Sequence, residues 1–134
     1  MKGGPIVNDL VIAGSVSSPA VRLDAKRGSM ELSGESYPQN AFDFFAPIMD
    51  WAHQFLRERP DPLLLELRLS YLNTSSTKCV IDLLDLLENA YRIGRSVRVT
   101  WYCDKENDRA REAAEEFRED VTFPFEIRLT GHVS

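Results

Sequence analysis

Four hydroxyl side chains stand in a row in this sequence, Thr74-Ser75-Ser76-Thr77, directly behind Asn73. A side-chain hydroxyl is the group to which a protein kinase transfers a phosphoryl, adding about −1.5 to −2 charges and three acceptor oxygens at neutral pH. The run joins an apolar stretch, residues 63–72, to residues whose apolar positions recur at helical spacing. It therefore falls at a helix start, where two readings apply. Asn, Ser and Thr there satisfy backbone N–H groups that have no partner in the first turn. A phosphate would meet the same N–H groups and the positive end of the helix dipole, so the fold tolerates the modified state. At about 100° per residue, Ser76 lies on the Val80/Leu83/Leu87 stripe and faces inward. Thr74 projects towards Lys78, Asp82 and Asp85, and is the accessible hydroxyl.

Lys78, one turn on, is placed to offset a phosphate, while Asp82 and Asp85 oppose it. Ile81 and Leu86 flank the buried stripe, as peripheral core residues or as apolar anchors for a partner. The two aspartates by themselves read as a solvated helix face. No spacing links His53 and His132 to each other, to a cysteine or to a nucleophile, so no catalytic pair is expected. Cys79 and Cys103 are too few for a disulfide framework and lack zinc spacing, and read as buried free thiols. No glycine-rich phosphate loop is present. The expectation is a non-enzymatic protein with no metal or cofactor.

With 134 residues the chain has the size of one domain, expected to cover 1–134. Sixteen basic against 21 acidic residues give a net charge of −5, which disfavours nucleic acid and polybasic membrane binding. Residues 104–120 hold eight acidic and four basic side chains and read as a solvated helix, so most of the acidity is lodged there. Residues 73–103 hold four basic and three acidic. A dianionic phosphate would thus reverse the local balance around Thr74. The N-terminal segment lacks an apolar signal core, and no apolar run reaches the roughly 18 residues of a membrane span. A soluble cytoplasmic protein without membrane insertion is expected.

The elements that must hold Thr74 follow from periodicity. Val11-Ile12 is a weak strand signal; Val21/Leu23 and Met30/Leu32 alternate with polar residues over 20–24 and 29–33, joined by a turn at 25–28. Residues 34–39, with Pro38, are expected to break that pattern. Asn40 caps a helix carrying Phe42, Phe45, Ile48, Met49, Ala52, Phe55 and Leu56, which Pro47 should kink or restart. Leu63, Leu65, Leu67 and Leu69 share one face of a central strand. Then come a helix from about Thr74 to Arg92, a strand with Val97, Val99 and Trp101, a helix from about Lys105 to Glu119, and a strand with Phe125, Ile127 and Leu129. Strands separated by helices favour parallel pairing. The opposite strand faces carry Glu66, Arg68, Arg98, Thr100, Tyr102, Glu126 and Arg128, too polar to lie under a second helix layer. The fold class is α/β: a small mixed β-sheet with helices packed mainly on one face.

Four separated stretches add a resemblance: residues 34–40 (GESYPQN), 69–76 (LSYLNTSS), 82–88 (DLLDLLE), and 114–120 (AEEFRED) followed by Phe123-Pro124-Phe125. Together, in this order, they resemble the SiaC family of small bacterial regulatory phosphoproteins. The resemblance implies a STAS-like domain related in fold to anti-sigma-factor antagonists. It implies that Thr74 is phosphorylated by a histidine-kinase-like Ser/Thr kinase and restored by a metal-dependent Ser/Thr phosphatase. It also implies that the unphosphorylated protein binds and activates a diguanylate cyclase, raising cyclic di-GMP and promoting biofilm formation. Asn73, Ser75, Lys78, Ile81 and Asp82 are the expected partner-binding residues around Thr74. Three other outputs are weighed: antagonism of an anti-sigma factor, a small enzyme using the 73–77 loop as an anion site, and a structural oligomer.

Overall fold

Three strands and then alternating helices and strands make up residues 7–131, the part of the chain that the structure, a computed structural model, describes. The elements are β1 (Leu10–Ile12), β2 (Ala20–Asp24), β3 (Ser29–Ser36), α1 (Ala41–Glu58), β4 (Leu63–Leu72), α2 (Thr74–Arg92), β5 (Val97–Asp104), α3 (Asp108–Glu119) and β6 (Phe125–Thr130). The strands form one sheet in the order β1-β2-β3-β4-β5-β6. The first three are antiparallel neighbours, and β3 to β6 run parallel. Each parallel crossover steps the same way across the sheet, so crossovers of the usual right hand put α1, α2 and α3 on one face.

That face is the core. Leu63, Leu65, Leu67 and Leu69 alternate into it, beside Val97, Val99, Trp101 and Cys103 from β5. Burying each large apolar side chain contributes about 1.5–3 kcal/mol. Phe45, Ile48, Ala52 and Phe55 pack onto the sheet from α1, and Val80, Leu83 and Leu87 from α2. Phe42, expected on the α1 stripe, is instead 57% exposed, because Ala41, one position back, takes the buried place at the start of the stripe and leaves Phe42 on its flank. The opposite face is polar and internally paired. Tyr102 donates to Glu66 at 3.2 Å, the Arg68 guanidinium lies 4.0 Å over the Tyr102 ring, and Arg128 meets Glu126 at 2.9 Å. Among the described residues no helix is long and apolar enough to cross a membrane.

Three expectations are corrected. The helix does not restart at Pro47: α1 is assigned as one helix through it, with Pro47 on the exposed side. The Asp43 carbonyl that proline leaves without its usual donor is on an exposed residue, where water can replace the lost bond. The third helix begins at Asp108 rather than near Lys105, because Asn107 is its cap and the Asn107 N–H turns back to the Asp104 carbonyl at 2.8 Å. Finally, β3 does not break at Gly34 but continues to Ser36 across a register shift. Gly34 pairs with Leu69 and Glu35 with Tyr71, so Ser70 is an extra residue on β4. This bulge reverses the phase of β4, turning Tyr71 outward and packing Leu72 against the core.

Candidate functional site

Because α1, α2 and α3 each follow a strand of the parallel set, their N-termini gather along one edge of the sheet. All three are capped by asparagine. The Asn40 side chain accepts from the Asp43 N–H at 3.1 Å, Asn73 from the Ser76 N–H at 2.8 Å, and Asn107 from the Ala110 N–H at 3.0 Å. They differ in charge. The first turns of α1 and α3 contain Asp43 and Asp108, whereas that of α2 has no acidic residue. Asp108 is the first residue of α3, and Thr74 holds the same place in α2. A negative group there is stabilised by the helix dipole and free N–H groups. On α2 a hydroxyl stands where α3 has a carboxylate.

The four hydroxyls have different fates. Ser76 is fully buried and its Oγ lies 2.7 Å from Ser36 Oγ, also fully buried. The Thr77 hydroxyl donates to the Asn73 carbonyl at 3.0 Å. Thr74 and Ser75 are exposed. Ser36, Asn73 and Ser76 close a ring: the Asn73 N–H donates to the Ser36 carbonyl at 2.9 Å, Ser76 N–H to Asn73 Oδ1, and the two serine hydroxyls join. The ring ties the end of β3 to the first turn of α2 and fixes the direction in which Thr74 points.

Around Thr74, Lys78 is already paired, its Nζ 2.8 Å from Asp82, which holds the ammonium above its ordinary pKa. Ile81 is 37% exposed, while Leu86 packs against the core. Two residues that periodicity did not single out complete the surface. Tyr71, aimed outward by the bulge, meets Tyr37 edge-on with ring centroids 6.1 Å apart. The extra residue Ser70 presents its carbonyl to the Asn107 side chain at 3.2 Å, linking the ends of β4 and α3. Asn107-Asp108 is a helix-start signal that would have located this end from sequence.

Beside the same edge, between α2 and α3, lies a half-open groove of about 440 Å³. Leu72, Ile81, Trp101, Ala113 and Phe117 line it. From α3 it is lined by Ala110 and Ala113, too short to fill the space towards α2.

Away from this edge, Glu88 is buried on α2 and accepts from the Thr122 N–H at 2.7 Å, the Thr122 hydroxyl at 2.6 Å and Arg92 at 2.7 Å. Burial favours its neutral form, but the Thr122 and Arg92 bonds outweigh that and hold the carboxyl at about 2. Sequence patterning missed it, since its partner Thr122 lies 34 residues on. Cys79 and Cys103 are buried free thiols whose pKa values burial raises, which disfavours the reactive thiolate. His53 is exposed on α1, and His132 lies outside the described residues.

Sheet, one-sided helix layer and capped helix edge together define a two-layer α/β protein with a mixed six-stranded sheet. The chain belongs to the SiaC family: the description "SiaC family regulatory phosphoprotein" matches residues 12–130. It is similar to the crystal structure of apo-SiaC from Pseudomonas aeruginosa, with a TM-score of 0.87 and 47% identity over 90% of this chain and 98% of that one. It is also similar to the crystal structure of the diguanylate cyclase SiaD in complex with its activator SiaC, from the same organism. There the TM-score is 0.88 and the identity 48%, over 92% of this chain and 100% of that one. An uncharacterized protein of Pseudomonas aeruginosa (strain UCBPP-PA14) is 48% identical over 91% of this chain and 97% of its own length.

Proposed function

We propose that this protein is a one-domain, non-enzymatic cytoplasmic switch whose output is activation of a diguanylate cyclase, and that phosphate on Thr74 turns the output off. A Ser/Thr kinase of the histidine-kinase-like type adds the phosphate and a metal-dependent phosphatase removes it. Cyclic di-GMP production and biofilm formation follow the unphosphorylated state. Asn73, Ser75, Lys78, Ile81 and Asp82 surround Thr74 and form the contact surface. The observation that carries this reading is the exposed Thr74 hydroxyl at the first position of α2, the helix whose first turn lacks the acidic residue present in α1 and α3. Membership of a regulatory phosphoprotein family, and a similar protein that is the activator of a diguanylate cyclase, support it. Loss of about 3 kcal/mol on desolvating or repelling a dianion suffices for a roughly hundredfold weaker complex. Co-expression with the cognate kinase should add one phosphate, mapped to Thr74 by mass spectrometry; phosphate on Ser76, or none, overturns the mechanism.

A further inference from the structure

The two edges of the sheet are unequal. β1 closes one side with only Leu10–Ile12, whereas β6 offers the longer Phe125–Thr130 on the other. An open edge strand is a template for further pairing, which proteins blunt with proline, lysine or a bulge. β6 has no proline or lysine and pairs with β5 in unbroken register.

The bonds to β5 fix which backbone groups of β6 point outward. The Val99 N–H donates to the Pro124 carbonyl at 3.0 Å, and the Lys105 N–H to the Thr130 carbonyl at 3.0 Å. Even-numbered residues therefore face β5, and Phe125, Ile127 and Leu129 turn their N–H and C=O groups to the open side. A two-fold axis beside Ile127 sets a second copy antiparallel, with Ile127 opposite Ile127 and Phe125 opposite Leu129, each pair exchanging both bonds. Glu126 then falls opposite Arg128 at the non-bonded positions, where facing side chains come closest. Both are about half exposed on the polar face and already 2.9 Å apart within the chain, so the charges alternate in sign across the seam. On the helix face the 52% exposed Leu129 meets Phe125. Centring the axis on Phe125 or Leu129 uses the same outward groups but leaves Glu126 and Arg128 unmatched.

We propose that β6 pairs antiparallel with β6 of a second copy of this chain, joining the two sheets into one. The axis stands normal to the sheet, so the helices of both copies stay on the same face and the two Thr74 edges point in opposite directions. β6 is two strand positions from β4, about 10 Å at the usual spacing, so the start of α2 stays uncovered in each copy. The dimer is independent of the switch reading. Pairing one short strand makes a small interface, so the association is weak, with a Kd on the order of 100 µM.

Sedimentation equilibrium of the full, unmodified chain across that concentration range should show monomer and dimer in exchange. Leu129→Pro removes an outward N–H that β5 does not use, and should weaken association by about tenfold or more with an unchanged circular dichroism spectrum. Glu126→Arg and Arg128→Glu each set like charges across the seam, so each variant alone should be monomeric. An equimolar mixture of these two variants restores opposite charges and should dimerise, less so as salt is raised; so should the double exchange. A chain that stays monomeric throughout overturns the proposal, as does a mixture of the two variants that does not associate. A dimer untouched by Leu129→Pro, or one dissociated instead by Ala113→Trp in the groove, places the contact elsewhere and overturns it. A monomeric chain whose complex with SiaD is lost on Leu129→Pro gives the edge to a partner's strand and overturns it too.

Discussion

The hydroxyls of Ser36 and Ser76 face each other at 2.7 Å, both fully buried and 40 residues apart in sequence. Ser36 closes β3 and Ser76 sits in the first turn of α2, so this contact joins the edge of the sheet to the helix that carries Thr74. A buried hydroxyl pair is neutral when complete and costly when halved.

Ser36→Ala should therefore destabilise the protein by about 1–3 kcal/mol, because Ser76 loses its partner in a dry site. The double variant Ser36→Ala/Ser76→Ala should cost clearly less than the sum of the two singles. Urea unfolding of the four proteins gives the coupling; additive losses would mean that the two hydroxyls do not act as a pair.

Substitutions at Thr74 should separate folding from output. Thr74→Ala should stay folded and bind the cyclase. Thr74→Asp places a carboxylate where α3 has Asp108, and should gain about 0.3–1 kcal/mol of stability while binding weakly. Thermal unfolding and cyclase affinity then move in opposite directions, which a damaged fold cannot produce.

Glu88 gives a pH signature. Its carboxyl is at about 2 in the folded protein against an ordinary value of 4.5. A lowered folded pKa means that its contribution is complete above about 4.5 and is lost as pH falls towards about 2. Glu88→Ala should cost about 2 kcal/mol at pH 7 and much less at pH 2, because the Thr122 N–H and hydroxyl lose a charged acceptor. Denaturant titrations at the two pH values measure this; an equal cost at both would exclude the charge as the cause.

Gly28 has φ +62° in the turn between β2 and β3, and a Cβ there would lie 2.3 Å from the Pro62 carbonyl oxygen. Both the backbone strain and the clash oppose a side chain. Gly28→Ala should lower stability by about 2 kcal/mol or more, read as a lower denaturant midpoint with an unchanged slope.

Where each residue's role was set by its own neighbours, it was legible. The bounds of β4 and α2 follow from an alternating leucine run, an asparagine cap and a helical stripe, all local signals. The inward turn of Ser76 and exposure of Thr74 follow from helical phase alone. The bulge at Ser70 was not legible, because a register shift is a property of two paired strands and leaves no mark on either. The outward turn of Tyr71 was hidden with it. Ser36 and Glu88 were missed for the same reason, since each finds its partner more than 30 residues away. The groove depends on how far two helices stand apart across alanines, which spacing along one helix does not disclose.

Every strand of the sheet pairs only with its neighbours in the chain. Growth of the fold can therefore keep pace with synthesis, each new strand docking on the one made just before it. Thr74 and its serine ring are complete once α2 has emerged, but the groove gains its second wall only with α3. A nascent chain thus completes the turn that displays Thr74 before the second wall of the groove exists.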